Sequence, residues 1–210
     1  MGGWLFTMLD SALRPVKDRL LTPLTRTPIV RVHPTMISSA GLLLSVGAAL
    51  AASQRLAAVA VAAWLAGRIA DGLDGLAARA SGRATDLGGL LDFTFDTIGY
   101  ATIPIGVAFG VDTRAGWIVT AVLLASFYLN SVSLGYVAAL LEKRGLDAAT
   151  QRRSTSAVLP RGLVEGTETI AFFTLALAFI DSSPWIWSAM AALVTVTALE
   201  RVRWAAKELT

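Results

Sequence analysis

The sequence predicts an all-α integral membrane protein with six transmembrane helices and an N-terminal amphipathic interfacial helix. Three observations predict this class. The chain of 210 residues is 55% hydrophobic and has a mean hydropathy of +0.63, which is too apolar for a soluble domain of this length. Its apolar residues form stretches long enough to cross a bilayer as helices. Its basic residues flank those stretches, which is typical of membrane proteins and argues against a nucleic-acid partner.

The first element is predicted in residues 1–34, an interfacial and juxtamembrane segment ahead of a six-helix transmembrane domain at 35–210. Apolar residues recur there at helical spacing, with charged residues between them: Leu5, Leu9, Leu13, Val16 and Leu20. This pattern indicates an amphipathic helix that lies on a lipid surface. Prolines after residue 22 then end the helix and lead the chain into the membrane.

Six apolar stretches follow, and each is long enough for a membrane helix. They lie near residues 36–53, 56–79, 86–111, 115–141, 162–181 and 185–206. An even number of crossings places both termini on the same side of the membrane.

The distribution of basic residues predicts which side that is. Fifteen lysines and arginines lie in the N-terminal segment, the turn between the second and third helices, the loop between the fourth and fifth, and the C-terminal tail. The loops on the opposite side hold only Arg55 and Arg114. The positive-inside rule therefore predicts a multi-pass protein of the cell (inner) membrane with both termini cytoplasmic. Trp117, Trp185 and Trp187 then fall at outer ends of helices, as interfacial anchors do.

One segment, 71–96, interrupts the apolar pattern with aspartates at regular spacing. Asp71 and Asp74 are one turn apart on the second helix, and Asp92 and Asp96 are one turn apart on the third. Because a short turn joins these two helices, they are expected to be adjacent and antiparallel, with the four carboxylates converging near the cytoplasmic face. Each charge at bilayer depth costs about 2.5–3.5 kcal/mol, so the cluster requires positive partners.

Divalent metal ions are the predicted partners. Carboxylate oxygens select hard cations, so Mg²⁺ or Mn²⁺ fits, and four carboxylates suit two ions about 3.5–4 Å apart, an arrangement used for displacement at phosphorus. Gly75 and Gly88 would let a ligand approach the backbone, and Arg79 offers a planar fork for phosphate oxygens. Helix packing by the glycines and neutralisation by arginines is the simpler alternative. The three nearby arginines, Arg68, Arg79 and Arg83, are too few to neutralise four aspartates and Asp86.

The spacing of these residues resembles the signature of the CDP-alcohol phosphotransferase (CDP-alcohol phosphatidyltransferase) family. It reads Asp71-x2-Asp74-Gly75-x2-Ala78-Arg79-x8-Gly88-x3-Asp92-x3-Asp96. The resemblance implies an enzyme of phospholipid biosynthesis that passes the phosphatidyl group of a CDP-alcohol, with CDP-diacylglycerol the expected donor, to a small polar alcohol and releases CMP. It also implies that the four aspartates hold two metal ions and that Asp96 is the general base.

The resemblance further implies contacts with the nucleotide and its phosphates. They are expected from Gly75, Ala78, Arg79, Thr85 and Gly88. Many members carry Pro-Asn or Pro-Asp followed by Thr before the first span, whereas this chain reads His33-Pro34-Thr35-Met36-Ile37-Ser38. Thr35 and Ser38 are expected to keep contacts with the nucleotide. Helix capping by Thr35 is the alternative, and His33 is expected to be merely interfacial.

The acceptor is predicted to bind at the start of the fifth helix. Arg161, Glu165 and Glu168 would share one helical face there, with Arg153 nearby. Members that use inositol phosphate carry a stretch resembling Glu-Arg-x-Glu-Arg, and this chain lacks those arginines. Two glutamates favour an amine-bearing acceptor such as serine, ethanolamine or choline. The basic residues keep glycerol 3-phosphate and inositol phosphate open, and an Arg161–Glu165 ion pair is the structural alternative.

Two other classes of membrane protein are alternatives to an enzyme of this family, namely a transporter and a non-catalytic scaffold. Intramembrane carboxylates also occur in ion or proton-coupled transporters, but transporters place their sites near the midplane between broken helices in corresponding halves. A non-catalytic scaffold would be expected to have lost signature residues. Faces rich in glycine and alanine on the later helices would allow a homodimer.

Overall fold

The computed structural model describes residues 32–145 and 163–208, and that part of the chain is helical without any β-strand. Six α-helices follow one another: α1 (Pro34–Ser53), α2 (Ala57–Ala80), α3 (Asp86–Val111), α4 (Arg114–Lys143), α5 (Gly166–Ala178) and α6 (Ser183–Glu208). A 3₁₀ turn at Ile180–Ser182 joins the last two. The all-α class is confirmed, and the interfacial helix predicted before residue 34 lies outside the described residues.

The helices follow the predicted stretches, but not all of them qualify as separate membrane spans. Among the described residues, Pro34–Ser53, Arg114–Lys143 and Ile180–Glu208 are long and apolar enough to cross a bilayer. Helices α2 and α3 are long enough, but they carry the charged residues of the site. Helix α5 has 13 residues, fewer than the roughly 20 that a span needs. The chain is thus an all-α membrane protein in which three of the six predicted spans meet both criteria.

Helix α1 packs against both α2 and α3 through small residues. A Cβ added to Gly106 of α3 would collide with the backbone of Ala49, and a Cβ added to Gly99 would lie 3.1 Å from Ser45 Oγ. Without side chains at these positions the two backbones can approach closely, as in other membrane helix pairs. This contact fixes α1 beside the pair of helices that carries the aspartates.

An aromatic cluster connects α5 to the rest of the bundle. Phe173 of α5 stacks on Trp64 of α2, with 5.0 Å between ring centroids, and lies 5.0 Å from Trp187 of α6. Trp187 is 1% exposed, so the prediction that it is an interfacial anchor is wrong. Trp185, two residues earlier, is 82% exposed. Position near a helix end therefore did not distinguish a core side chain from a surface one.

The turn between α2 and α3 brings the two site helices together. Gly82 has a φ of +65°, a left-handed conformation that glycine adopts without a steric cost. Thr85 caps α3, because its side-chain oxygen accepts a hydrogen bond from the Gly88 amide at 3.0 Å. The chain thus reverses within a few residues, and α3 begins beside the end of α2.

Candidate active site

Three aspartates converge where α2 and α3 lie side by side. One carboxylate oxygen from each of Asp71, Asp74 and Asp92 lies within 4.8 Å of the others. Asp71 and Asp74 are three residues apart on α2, so they share a face of that helix. Asp92 reaches the same point from α3. The predicted convergence is therefore confirmed for three of the four aspartates.

Asp74 is the most buried member of this three-aspartate cluster, and a hydroxyl from α1 orients it. Only 4% of Asp74 is exposed. Ser38 Oγ donates a hydrogen bond of 2.5 Å to Asp74 Oδ2 and also lies 3.2 Å from the Pro34 carbonyl oxygen. Ser38 was predicted from the sequence as a nucleotide contact. The structure adds that it binds an aspartate of the cluster.

Asp96 makes its closest contact with an arginine of α2. Its Oδ1 accepts a hydrogen bond of 2.7 Å from Arg68 Nη1. The same nitrogen lies 3.7 Å from Asp71 Oδ2 and 3.3 Å from the Tyr100 hydroxyl. Arg68 was considered in the sequence only as a neutralising charge. Its bond to Asp96 joins two helices across 28 positions of the chain, so no local spacing revealed it.

The aspartates surround a space that suits a small cation. A cavity of about 10 Å³ lies among Asp71, Asp74, Asp92 and Asp96, with Ser38 and Arg68 also in its wall. That volume corresponds to about one water-sized occupant. Because the acidic ligands are all oxygens, the site fits a hard divalent cation such as Mg²⁺ or Mn²⁺ and does not fit a thiolate- or imidazole-bound metal.

A larger cavity of about 590 Å³ opens beside the cluster, within the size range of small-molecule sites. All seven residues predicted to contact the nucleotide or donor line it: Thr35, Ser38, Gly75, Ala78, Arg79, Thr85 and Gly88. Asp74 and Asp92 are in its wall as well, so this cavity is continuous with the three-aspartate cluster. The predicted donor residues therefore form one surface.

Two glycines of this surface have close neighbours. A Cβ at Gly75 would lie 3.3 Å from Arg79 Nη1, and one at Gly88 would lie 3.1 Å from Thr85 Oγ1. Both glycines therefore make room for polar side chains of the cavity. A side chain at either position would crowd Arg79 or Thr85, which agrees with a role of both glycines in the site.

Several details differ from the predictions. Helix α1 begins at Pro34 with His33 as its N-cap residue, so the alternative that Thr35 caps the helix is wrong. His33, predicted to be merely interfacial, lines the large cavity, as do Arg83 and Gly89. The available sequence signals were the positive charge of Arg83 in the turn and the position of Gly89 next to Gly88.

Of the predicted acceptor residues, the two that the structure describes, Glu165 and Glu168, do not line this site. Glu165 is the N-cap of α5 and forms a capping box with Glu168, whose Oε2 accepts a hydrogen bond from the Glu165 amide at 3.2 Å. The prediction that both glutamates share one helical face is wrong, because Glu165 precedes the helix. Neither lines the cavities described above. Arg153 and Arg161 lie outside the described residues.

Comparison with known proteins places these features in a wider context. The family model described as CDP-alcohol phosphatidyltransferase matches residues 31–199. The inner membrane protein YnjF of Escherichia coli is 36% identical over 119 residues, which cover 55% of this chain and 54% of that protein. Archaetidylinositol phosphate synthase of Pyrococcus horikoshii is 42% identical over 67 residues, or 32% of this chain and 35% of that protein. The matches thus span about half and about a third of the length of these relatives.

Solved structures show the same fold. The phosphatidylinositol phosphate synthase PgsA1 of Mycobacterium tuberculosis, in a crystal structure with CDP-DAG bound, aligns with a TM-score of 0.68 and 22% identity over 88% of this chain and 92% of that chain. A second crystal structure of that synthase, in complex with manganese and citrate, aligns with a TM-score of 0.67 and 21% identity over 87% of each chain. At this level of identity the likeness establishes the architecture.

Proposed function

The chain belongs to the CDP-alcohol phosphatidyltransferase family, and on that premise we propose that it transfers a phosphatidyl group from CDP-diacylglycerol to a phosphorylated alcohol and releases CMP. The observation that carries the proposal is the shared wall of the larger cavity. The seven predicted donor-contact residues line it together with two of the clustered aspartates.

The donor is proposed from the chemistry of this wall. Arg79 and Arg83 are exposed cations that line the cavity together with Gly75 and Gly88. Guanidinium groups bind phosphate oxygens strongly, often with two parallel hydrogen bonds. A CDP-alcohol offers both a diphosphate for these cations and a nucleotide for the cavity volume. CDP-diacylglycerol is favoured among such donors because the PgsA1 structure with a similar fold contains CDP-DAG.

Asp71, Asp74, Asp92 and Asp96 are proposed to hold two divalent ions. The close approach of three carboxylates and the small space among all four support this assignment, as does the manganese complex of PgsA1. Such ions, when bound, neutralise diphosphate charge and stabilise the departing CMP.

In the proposed reaction Asp96 acts as general base. Its carboxylate accepts the proton of the acceptor hydroxyl, whose oxygen forms a bond to the phosphorus that carries the diacylglycerol. The bond from that phosphorus to the bridging oxygen of the diphosphate breaks, and its electron pair leaves with CMP. Proton removal by a positioned side chain contributes typically 10²- to 10⁴-fold to the rate.

The acceptor is proposed to carry a phosphate, as inositol phosphate or glycerol 3-phosphate does. Two relatives are named as inositol phosphate lipid synthases. The amino-alcohol alternative is weakened because Glu165 and Glu168, which suggested it, form a capping box with each other and the backbone. Arg152, Arg153 and Arg161 are the basic residues available in the loop before α5.

The proposed setting is the cytoplasmic face of the cell membrane. Six helices would cross the bilayer, with α5 and the 3₁₀ turn after it forming the shortest crossing. Both termini and the donor cavity would then lie on the side that carries fifteen basic residues. The acyl chains of the donor would remain in the lipid while the polar acceptor arrives from the cytoplasm. Both substrates can therefore meet at the carboxylates without leaving their own phases.

An acceptor panel tests this proposal. The full chain in phospholipid vesicles is supplied with CDP-diacylglycerol and Mn²⁺ or Mg²⁺, and CMP and lipid products are measured with inositol phosphate, glycerol 3-phosphate, serine, ethanolamine or choline. We expect turnover with a phosphorylated acceptor that stops when EDTA removes the metal. Turnover with amino alcohols alone would contradict the acceptor assignment. No CMP release with any acceptor would contradict the donor assignment and favour the transporter alternative.

A further inference from the structure

Arg68 is a buried cation that the family signature does not include. It lies on α2, three residues before Asp71, and its side chain is 8% exposed. Its guanidinium contacts two adjacent aromatic rings, with the central carbon 4.7 Å from the centroid of Trp64 and 5.2 Å from that of Tyr100. Arginine stacks on aromatic faces in this way because its charge is delocalised and planar.

The aromatic rings around Arg68 are themselves held in place. Trp64 is fully buried and stacks on Phe173, and its indole nitrogen lies 3.2 Å from Thr174 Oγ1. Tyr100 packs edge-on against both Trp64 and Phe173. Since α2, α3 and α5 all contribute, the position of the guanidinium is determined by the packing of three helices.

Arg68 contacts two of the four aspartates, and it is closer to Asp96 than to Asp71. Asp71, Asp74 and Asp92 approach one another within 4.8 Å, whereas Asp96 is hydrogen-bonded to Arg68 Nη1 at 2.7 Å. The bond occupies Oδ1, so the remaining oxygen, Oδ2, is the one available to another ligand or to a proton. The wall of the small cavity includes Asp96, which places this carboxylate beside the cluster.

We propose that Arg68 is a positioning residue that fixes the Asp96 carboxylate beside the three-aspartate cluster, with Oδ1 bound to Arg68 and Oδ2 left to contact both a metal ion and the acceptor hydroxyl. The inference rests on the proposed function, in which Asp96 is the base. A buried ion pair alone is weak evidence for a stabilising role, since apolar replacements are often as stable. The role proposed for Arg68 is to fix the position of the Asp96 carboxylate. Position matters because a misplacement of about 1 Å at a reacting group can lower the rate by about 100-fold.

Substitution of Arg68 separates this role from support of the metal site. In Arg68→Met, kcat for CMP release should fall by about 10- to 100-fold while KM for CDP-diacylglycerol stays within about threefold. Mn²⁺ affinity, measured by electron paramagnetic resonance titration without substrate, should be no weaker than in the native chain, because a repelling cation has been removed. Guanidinium ion added to Arg68→Ala should restore part of kcat.

Two further variants keep the inference testable if Arg68→Met does not fold. Arg68→Lys keeps the charge but lacks the planar group that stacks on Trp64, and Tyr100→Phe removes one hydrogen-bond partner. Both should lower kcat by about threefold or more with native Mn²⁺ affinity. Arg55→Met is the matched control, because it removes a second arginine–aspartate pair, at 2.5 Å from Asp181 and away from the cavities. It should keep native kcat.

The measurements distinguish the possible failures. Native kcat in folded Arg68 variants would overturn the inference. A loss of Mn²⁺ affinity in proportion to the loss of kcat would also overturn it, because Arg68 would then only support the cluster. Native protein that binds Mn²⁺ but releases no CMP with any acceptor would instead overturn the proposed function.

Discussion

At the scale of single residues, Ser38 shows how one hydroxyl can connect the two parts of the site. It lies on α1, yet its Oγ bonds to Asp74 on α2 and lines the donor cavity. A buried carboxylate that loses such a bond keeps the desolvation cost of its charge. Ser38 is therefore expected to affect the metal ligands more than the nucleotide.

Replacing Ser38 with alanine should weaken Mn²⁺ binding. A hydrogen bond to a charged group contributes about 1.5–3 kcal/mol, or roughly 10- to 150-fold in affinity. Titration of Mn²⁺ into the purified variant measures this directly. Ser39→Ala is the matched control, because among the described residues Ser39 Oγ bonds only to the Thr35 carbonyl of the same helix. Equal Mn²⁺ affinity in both variants would show that Ser38 does not orient a ligand.

At the scale of helices, the contact between α1 and α3 holds α1 beside the pair of helices that carries the aspartates. Gly106 permits that contact, since a Cβ there would lie 2.8 Å from Ala49 Cα and nearer still to the carbonyl. The obstacle is backbone, which cannot rotate away as a flexible side chain can. The two helices would have to separate.

Gly106→Ala should therefore destabilise the protein by about 1–3 kcal/mol, the usual cost of overpacking. Thermal unfolding in detergent, followed by circular dichroism, measures the change. Gly47→Ala on α1 is the control, because nothing lies within 4 Å of its added Cβ, and alanine favours a helix relative to glycine. A Gly106 variant as stable as the Gly47 variant would contradict the close packing of α1 on α3.

The helices also show which sequence predictions agree with the structure and which do not. The bounds predicted for α3, 86–111, agree with the structure, because an N-capping threonine and a long apolar run are local signals. Trp187 was misassigned because its burial depends on a neighbour distant in sequence, Phe173. Glu165 was misassigned because hydropathy does not define the residue at which α5 begins. Pairing of the aspartates with arginine was the alternative to metal binding, and it is confirmed for Arg68. The spacing did not identify Asp96 as the closest partner of Arg68, because that contact joins two helices.

At the scale of the whole molecule, the proposed orientation follows from charge asymmetry and can be tested in the native sequence background. The chain contains no cysteine, so a single introduced thiol reports one position. Gln54, between α1 and α2, and Lys143, at the end of α4, are both exposed and are predicted to face opposite sides.

A membrane-impermeant maleimide should label Gln54→Cys in intact cells and Lys143→Cys only after the membrane is broken. Labelling of both positions in broken membranes serves as the control for thiol reactivity. The reverse pattern would place the donor cavity on the outer face. Labelling of both in intact cells would contradict the proposed number of crossings.

The central claim, that these carboxylates catalyse displacement of CMP, is tested most directly by comparing the native chain with Asp96→Asn. Both are reconstituted in vesicles with CDP-diacylglycerol, Mn²⁺ and the acceptor that supports turnover, and CMP release is measured against a protein-free control. The amide cannot accept the acceptor proton, so release should fall by about 10²- to 10⁴-fold while Mn²⁺ still binds the remaining three aspartates. Equal release by the two proteins, above the control, would contradict the assignment of Asp96 as the base.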